Sequence, residues 1–162
     1  MTHPASWKEL NTPAALVDVD RMAANLRAAS DYCRENHLSY RPHAKTHKSS
    51  VLARKQLEAG AAGITVATAR EAQVMAREGD DILVAYPFMA PENLRSILSL
   101  PEPVRVSFAL DSPLALRHLA KAARDRGREV GVLAEVDVGL KRVGVPVVAD
   151  VLALAREAAE TP

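Results

Sequence analysis

Cysteine is nearly absent: Cys33 stands alone in 162 residues. That excludes an internal disulfide framework and suits a reducing compartment. An excess of one charge sign is missing too. Twenty-one basic side chains stand against twenty acidic ones, a formal charge of +1, which gives no whole-molecule field to hold nucleic acid or an anionic membrane surface. No apolar run approaches the roughly 18 residues a membrane span needs, and the opening MTHPASWKEL has no apolar signal core. The expected setting is the cytoplasm, with neither membrane nor nucleic acid as partner. Glycine-rich phosphate loops are also lacking, since neither G-x-G-x-x-G nor G-x-x-x-x-G-K-[ST] occurs. Gly139 and Gly144 in GLKRVG have the spacing of such a loop without the Lys-Ser/Thr pair that completes it.

What is there is an ordinary globular composition, 48% hydrophobic and 25% charged, which supports one soluble domain with a real core. A single pattern repeats along it. LNTPAALVDVD reads as a short strand ended by Asp20, an N-cap for a helix over about 21–36. On that helix Met22, Leu26, Ala29 and Cys33 share one face, which assigns the cysteine to packing. LSYRPHAK (38–45) reads as a strand, followed by a helix through VLARKQLEA that Gly60 ends. GITVAT leads into TAREAQVMAREG, a helix opened by a capping box of Thr68 and Glu71 and closed by Gly79. DILVAYP precedes PENLRSILSL, with Pro91 in the first turn. VRVSFALD precedes SPLALRHLAKAARDRG, with Ser112 as N-cap and Gly127 past the end. EVGVLAEVDV is a fifth strand, and VPVVADVLALAREAAE begins one more helix.

Strands apolar on both faces, each followed by a helix, predict a parallel sheet covered by helices. Without a nucleotide-binding glycine turn, the better architecture is a partial (β/α)8 barrel, about five of its eight units, because a complete one takes about 250 residues. Function in such folds sits at the carboxyl ends of strands. Those ends carry His43, Lys45 and His47, then Thr68, Tyr86, Asp111, and the run from Asp137 to Arg142.

The most unusual stretch is RPHAKTHKS, which puts Arg41, His43, Lys45, His47 and Lys48 into eight residues. Lysine and histidine are costly to bury unpaired, so the segment is either a solvated strand end or a site for something anionic. A partly desolvated lysine beside other cations becomes a usable amine nucleophile, the setting a Schiff base needs. A bare solvated lysine is the plain alternative. His43 and His47 lack the helical H-x-x-x-H geometry and an evident third ligand, so no metal site is assigned to them. Thr68 and Ser112 read first as helix caps. Asp111 and Asp137 fit either catalytic carboxylates or acceptors for backbone amides, and Arg142, among glycines and apolar neighbours, calls for a fixed anionic partner.

Five blocks, LNTPAALVDVDRMAANL, RPHAKTHKS, GITVATAREAQVMA, DDILVAYP and EVDVGLKRVGV, resemble in order the N-terminal half of the D-threonine aldolase and D-serine dehydratase family. These are pyridoxal-phosphate enzymes of fold type III that share the alanine racemase barrel. The resemblance runs from Leu10 to Val145. It implies that Lys45 forms the Schiff base with the cofactor and acts as a base on one face of the substrate's Cα. Arg142 would reach the cofactor's phenolic oxygen, His43 and His47 would orient the lysine region, and Tyr86, Thr68 and Asp137 would line the pocket. The implied substrate is a small D-3-hydroxy amino acid, cleaved to glycine and an aldehyde. A D-serine dehydratase-like β-elimination and a non-catalytic cofactor-binding module are the alternatives.

The family also uses a divalent metal, zinc or manganese, whose ligands lie outside this chain together with the phosphate-binding loops. The resemblance therefore implies an N-terminal portion: 1–19 as a leading segment with a short strand, and 20–162 as an incomplete cofactor-binding α/β barrel. That portion is expected to be inactive alone and to have an open strand edge, with a homo-oligomer among the ways of covering it.

Overall fold

The computed structural model describes residues 6–86 and 90–161. Four parallel strands, β1 (Ile64–Val66), β2 (Asp81–Val84), β3 (Arg105–Leu110) and β4 (Gly131–Ala134), form one sheet in the order β1-β2-β3-β4. Ile64 pairs with Ile82, Ile82 with Val106, and Phe108 with Val132. The helices are α1 (Val19–Glu35), α2 (Ser50–Glu58), α3 (Ala69–Met75), α4 (Pro91–Leu98), α5 (Pro113–Arg124) and α6 (Val148–Glu160), after a 3-10 turn at Trp7–Glu9.

Each strand lies beside the next in sequence, and α2 through α6 contact one another in the same succession. An open doubly wound sheet reverses its strand order at a switch point. This one does not, and right-handed crossovers then place every helix on one side of the sheet, which is an arc of (β/α)8 barrel wall. The core lies between the layers: Ile64, Val66, Ile82, Val84, Val106, Phe108 and Leu110 from the strands pack in one cluster with Ala72, Met75, Ile97, Leu119 and Leu154 from the helices. A buried side chain of this size contributes roughly 1.5–3 kcal/mol relative to exposure.

Local chemistry starts α3 and α5 as the sequence predicts, and Ser49 adds a cap to α2 that the sequence reading did not name. The hydroxyls of Ser49, Thr68 and Ser112 accept from the backbone N–H groups of Leu52 (3.4 Å), Glu71 (3.1 Å) and Ala115 (3.2 Å). Gly60 (φ +105°) and Gly127 (φ +60°) follow α2 and α5 in the left-handed region that glycine tolerates. A staple that no pattern predicts joins two units: the Arg128 guanidinium donates to the carbonyls of Leu98 (3.0 Å), Leu100 and Val104 (2.6 Å), satisfying the chain just past α4.

Several expectations need correction. LNTPAALVDVD forms no strand; its exposed Leu16 and Val17 have no ladder partner among the described residues. The N-cap of α1 is Asp18, whose carboxylate accepts from Arg21 N–H at 3.0 Å, and Asp20 lies in the first turn. The Met22, Leu26, Ala29 and Cys33 stripe is only half-buried. LSYRPHAK runs extended beside β1 but makes a single bridge, His43 with Thr65, because Pro42 has no N–H for the next rung. Helix α6 starts at Val148 because Val145 bridges to Val136 instead. The last residue of the predicted DILVAYP strand, Pro87, lies outside the described residues. Among the described residues no helix is long and apolar enough to cross a membrane.

Candidate active site

The five cations of RPHAKTHKS have different fates. Arg41 donates to Asp81 at 2.7 Å, and Asp81 also takes Arg105 at 3.3 Å, an ion-pair network at the start of β2 and β3, away from the carboxyl rim. His47 accepts the Ser49 N–H on Nδ1 (3.1 Å), which leaves the proton on Nε2 to donate to Gln56 Oε1 at 3.3 Å; its ring is turned to α2. Lys48 adopts a left-handed backbone (φ +48°), and its ammonium lies 3.4 Å from Glu71 Oε1. His43 and Lys45 are left at the strand end.

A bond from Lys48 N–H to the Ala44 carbonyl (2.8 Å) closes the turn around Lys45. The Lys45 N–H donates to His43 Nδ1 at 3.3 Å. Lys45 itself is exposed, not partly desolvated as the sequence suggested, because the turn carries it past the end of the ladder. Behind it, burial and then the Lys45 charge push the His43 imidazole below its ordinary value, against the opposing pull of Glu71 and the Thr65 carbonyl. The imidazole is therefore held neutral and able to accept.

At the opposite edge of the same carboxyl rim lies a second group. Asp111, after β3, accepts from Gly144 N–H at 3.1 Å. Asp137 accepts from the N–H groups of Gly139 (2.8 Å) and Lys141 (3.1 Å), and these amides hold its carboxyl below the usual range. The carboxylate thus folds the loop that carries Arg142. Glu135 is pushed up by burial and then by Asp111, with Arg142 pulling the other way, and one of its oxygens is enclosed without a partner. Arg142 is exposed beside it.

Of the other residues the sequence singled out, Thr68 caps α3 and Tyr86 is exposed after β2. Among the described residues no three His, Cys, Asp or Glu side chains converge as metal donors. Glu71 and Glu135 went unrecognised as site residues. Glu71 was legible only as half of a capping box, and the signal for Glu135 was a lone carboxylate interrupting the apolar run GVLAEV.

The family profile described as "Alanine racemase, N-terminal domain" matches residues 17–162. A D-threonine aldolase from Arthrobacter sp. is 34% identical over 154 residues, covering 94% of this chain and 41% of that protein. A D-threo-3-hydroxyaspartate dehydratase from Delftia sp. (strain HT23) is 38% identical over 138 residues, covering 84% of this chain and 36% of the relative. Among solved structures, the D-threonine aldolase from Filomicrobium marinum superposes with a TM-score of 0.91 at 28% identity, covering 96% of this chain and 42% of that one. The chain spans about two-fifths of the length of the curated relatives it matches.

Proposed function

Since the chain belongs to the alanine racemase N-terminal domain family, we propose that it is the lysine-bearing part of a pyridoxal-phosphate lyase for D-3-hydroxy amino acids. The observation that carries this reading is Lys45: an exposed amine on a closed turn at the carboxyl end of a barrel wall, its backbone N–H held by the His43 imidazole. The residues present fit an aldehyde cofactor with an acidic phenol. Lys45 makes no ion pair with a carboxylate among the described residues, and Arg142 offers an exposed guanidinium on the same rim.

When bound, the cofactor supplies an electron sink for the pair left at the substrate's Cα. Lys45 would hold it through its amine and would serve as the base on one face. Arg142, with the planar N–H fork of its guanidinium, would hold the phenolic oxygen. His43 accepts the Lys45 N–H and keeps the turn in register, and the Asp137 carboxylate shapes the Arg142 loop. Tyr86, Thr68 and Asp137 would line the pocket, and His47, whose ring bonds Gln56 and the Ser49 N–H, would orient the lysine region from behind. Aldol cleavage to glycine and an aldehyde is the first reading, supported by the likeness to two D-threonine aldolases. Dehydration is the second, supported by the Delftia dehydratase. We place the chain in the cytoplasm, with residues 20–162 as the cofactor-binding portion and any divalent metal held by a segment other than this one.

The test is to add pyridoxal phosphate to the purified chain, trap with borohydride and map the modified lysine by mass spectrometry. Stoichiometric label on Lys45 that disappears in Lys45→Arg is the expected result. Label scattered over surface lysines overturns the assignment. Turnover of D-threonine by this chain alone is expected to be negligible, and measurable aldehyde release refutes that part.

A further inference from the structure

The side chain that ties the Lys45 turn to the neighbouring unit is Glu71, on α3. Its carboxylate is only 6% exposed. One oxygen accepts the Ala67 N–H at 2.8 Å, and the other lies 3.4 Å from the Lys48 ammonium. This departs from an ordinary capping box, in which the third helical residue bonds the N-cap amide itself. Here Thr68 still accepts from Glu71 N–H, but the carboxylate reaches one residue further back, to the end of β1, and from there across to the neighbouring turn. A buried carboxylate is costly unless it is paired and hydrogen-bonded, and the two partners it has belong to two different units.

Lys48, in turn, closes the Lys45 turn through its backbone N–H and occupies a left-handed conformation that a side chain with Cβ adopts reluctantly. Holding such a residue requires surroundings that fix it. The ion pair with Glu71 is the contact that does so on the side facing α3.

We propose that Glu71 is a positioning residue: bonded to the Ala67 N–H and paired with the Lys48 ammonium, it fixes the turn that presents Lys45. The charged groups facing His43 are Lys45 from its own turn and Glu71 from α3, with the Thr65 carbonyl facing it from β1. The role rests on Lys45 being the reactive amine of the proposed function, but the Glu71 charge beside the turn can be read at His43 without any cofactor.

The experiment follows the His43 ring resonances by NMR across pH in the 162-residue chain, in Glu71→Gln and in Lys48→Gln. Glu71→Gln keeps an acceptor for Ala67 N–H and removes the charge, so the His43 midpoint moves down. Lys48→Gln changes an exposed side chain, leaves the Glu71 carboxylate uncompensated, and moves the midpoint up. A purely structural role gives no such opposite pair of shifts. In both variants the trapped label on Lys45 falls by about threefold or more, the scale of coupling within one hydrogen-bonded network, and the double variant loses little beyond either single one.

An unchanged His43 midpoint in Glu71→Gln overturns the proposal, as does normal Lys45 labelling in Lys48→Gln, the variant that leaves the core untouched. If the unaltered chain takes no label at Lys45, the cofactor assignment fails by itself, and the His43 titrations still decide the role of Glu71.

Discussion

Among charged side chains of like type, surroundings separate the structural from the reactive. Asp137 and Glu135, two residues apart, are shifted in opposite directions: backbone amides hold Asp137 low, while burial and Asp111 hold Glu135 high. For Glu135 the folded chain favours the protonated form. The stability it contributes is complete below its ordinary value of 4.5 and is lost as pH rises through the raised folded value. Glu135→Gln, which cannot ionise, is therefore expected to unfold at a higher temperature than the original chain near neutral pH, with the gap closing as pH falls into the carboxylate range. Thermal unfolding followed by circular dichroism from about pH 4 to 8 reads this directly. The Asp137 contribution has the opposite sign and is lost only on acidification below its ordinary value of 3.8.

Between strands and helices the control is steric. At Gly144 the backbone is left-handed (φ +96°), its N–H meets Asp111, and a Cβ would lie 2.5 Å from the Asp137 nitrogen. Gly144→Ala is expected to cost at least about 2 kcal/mol, from the backbone penalty plus the clash, measured by urea unfolding. It should also abolish whatever order the Asp111 and Asp137 bonds give to the Arg142 loop. Helix starts at Thr68 and Ser112 were legible in the sequence because a cap is decided within four residues, whereas the choice of Asp18 over Asp20 and the Ser49 cap were not read from it. The strand in LNTPAALVDVD was not, since a strand exists only if another chain segment pairs with it. Segment 38–45 was half legible: its extended course followed from its residues, but its reduction to one bridge depended on Pro42 meeting β1. The same division holds in the site. The Lys45 position followed from its place at a strand end and from a family resemblance, whereas the pairing of Lys48 with Glu71 required knowing that β1 leads α3 back beside the turn.

Over the whole molecule, the barrel wall is an arc with two edges. Strand β4 has no neighbour on its outer side among the described residues, its Leu133 is 44% exposed, and the loop beyond it presents Val138 at 86% and Leu140 at 79%. An edge with free backbone donors beside exposed apolar side chains invites pairing. Sedimentation velocity is expected to show larger species as protein concentration rises. Leu133→Lys should shift that distribution toward monomer, because a charge on an edge opposes strand addition; an unchanged distribution would locate the contact elsewhere.

The monotonic strand order has a consequence for how the molecule breathes. Each unit leans mainly on the units before and after it in the chain, with the Arg41–Asp81 pair reaching one strand further, so local opening resembles the fraying of a row of links rather than the collapse of a block. The middle links, β2 and β3, are gripped from both sides. The turn that presents Lys45 belongs to the outermost link, joined to β1 by one bridge at His43 and tied further in by the Arg41–Asp81 and Lys48–Glu71 pairs. The Lys45 amine thus rides on an outer link of the wall, and a ligand captured there would tighten that link as it binds.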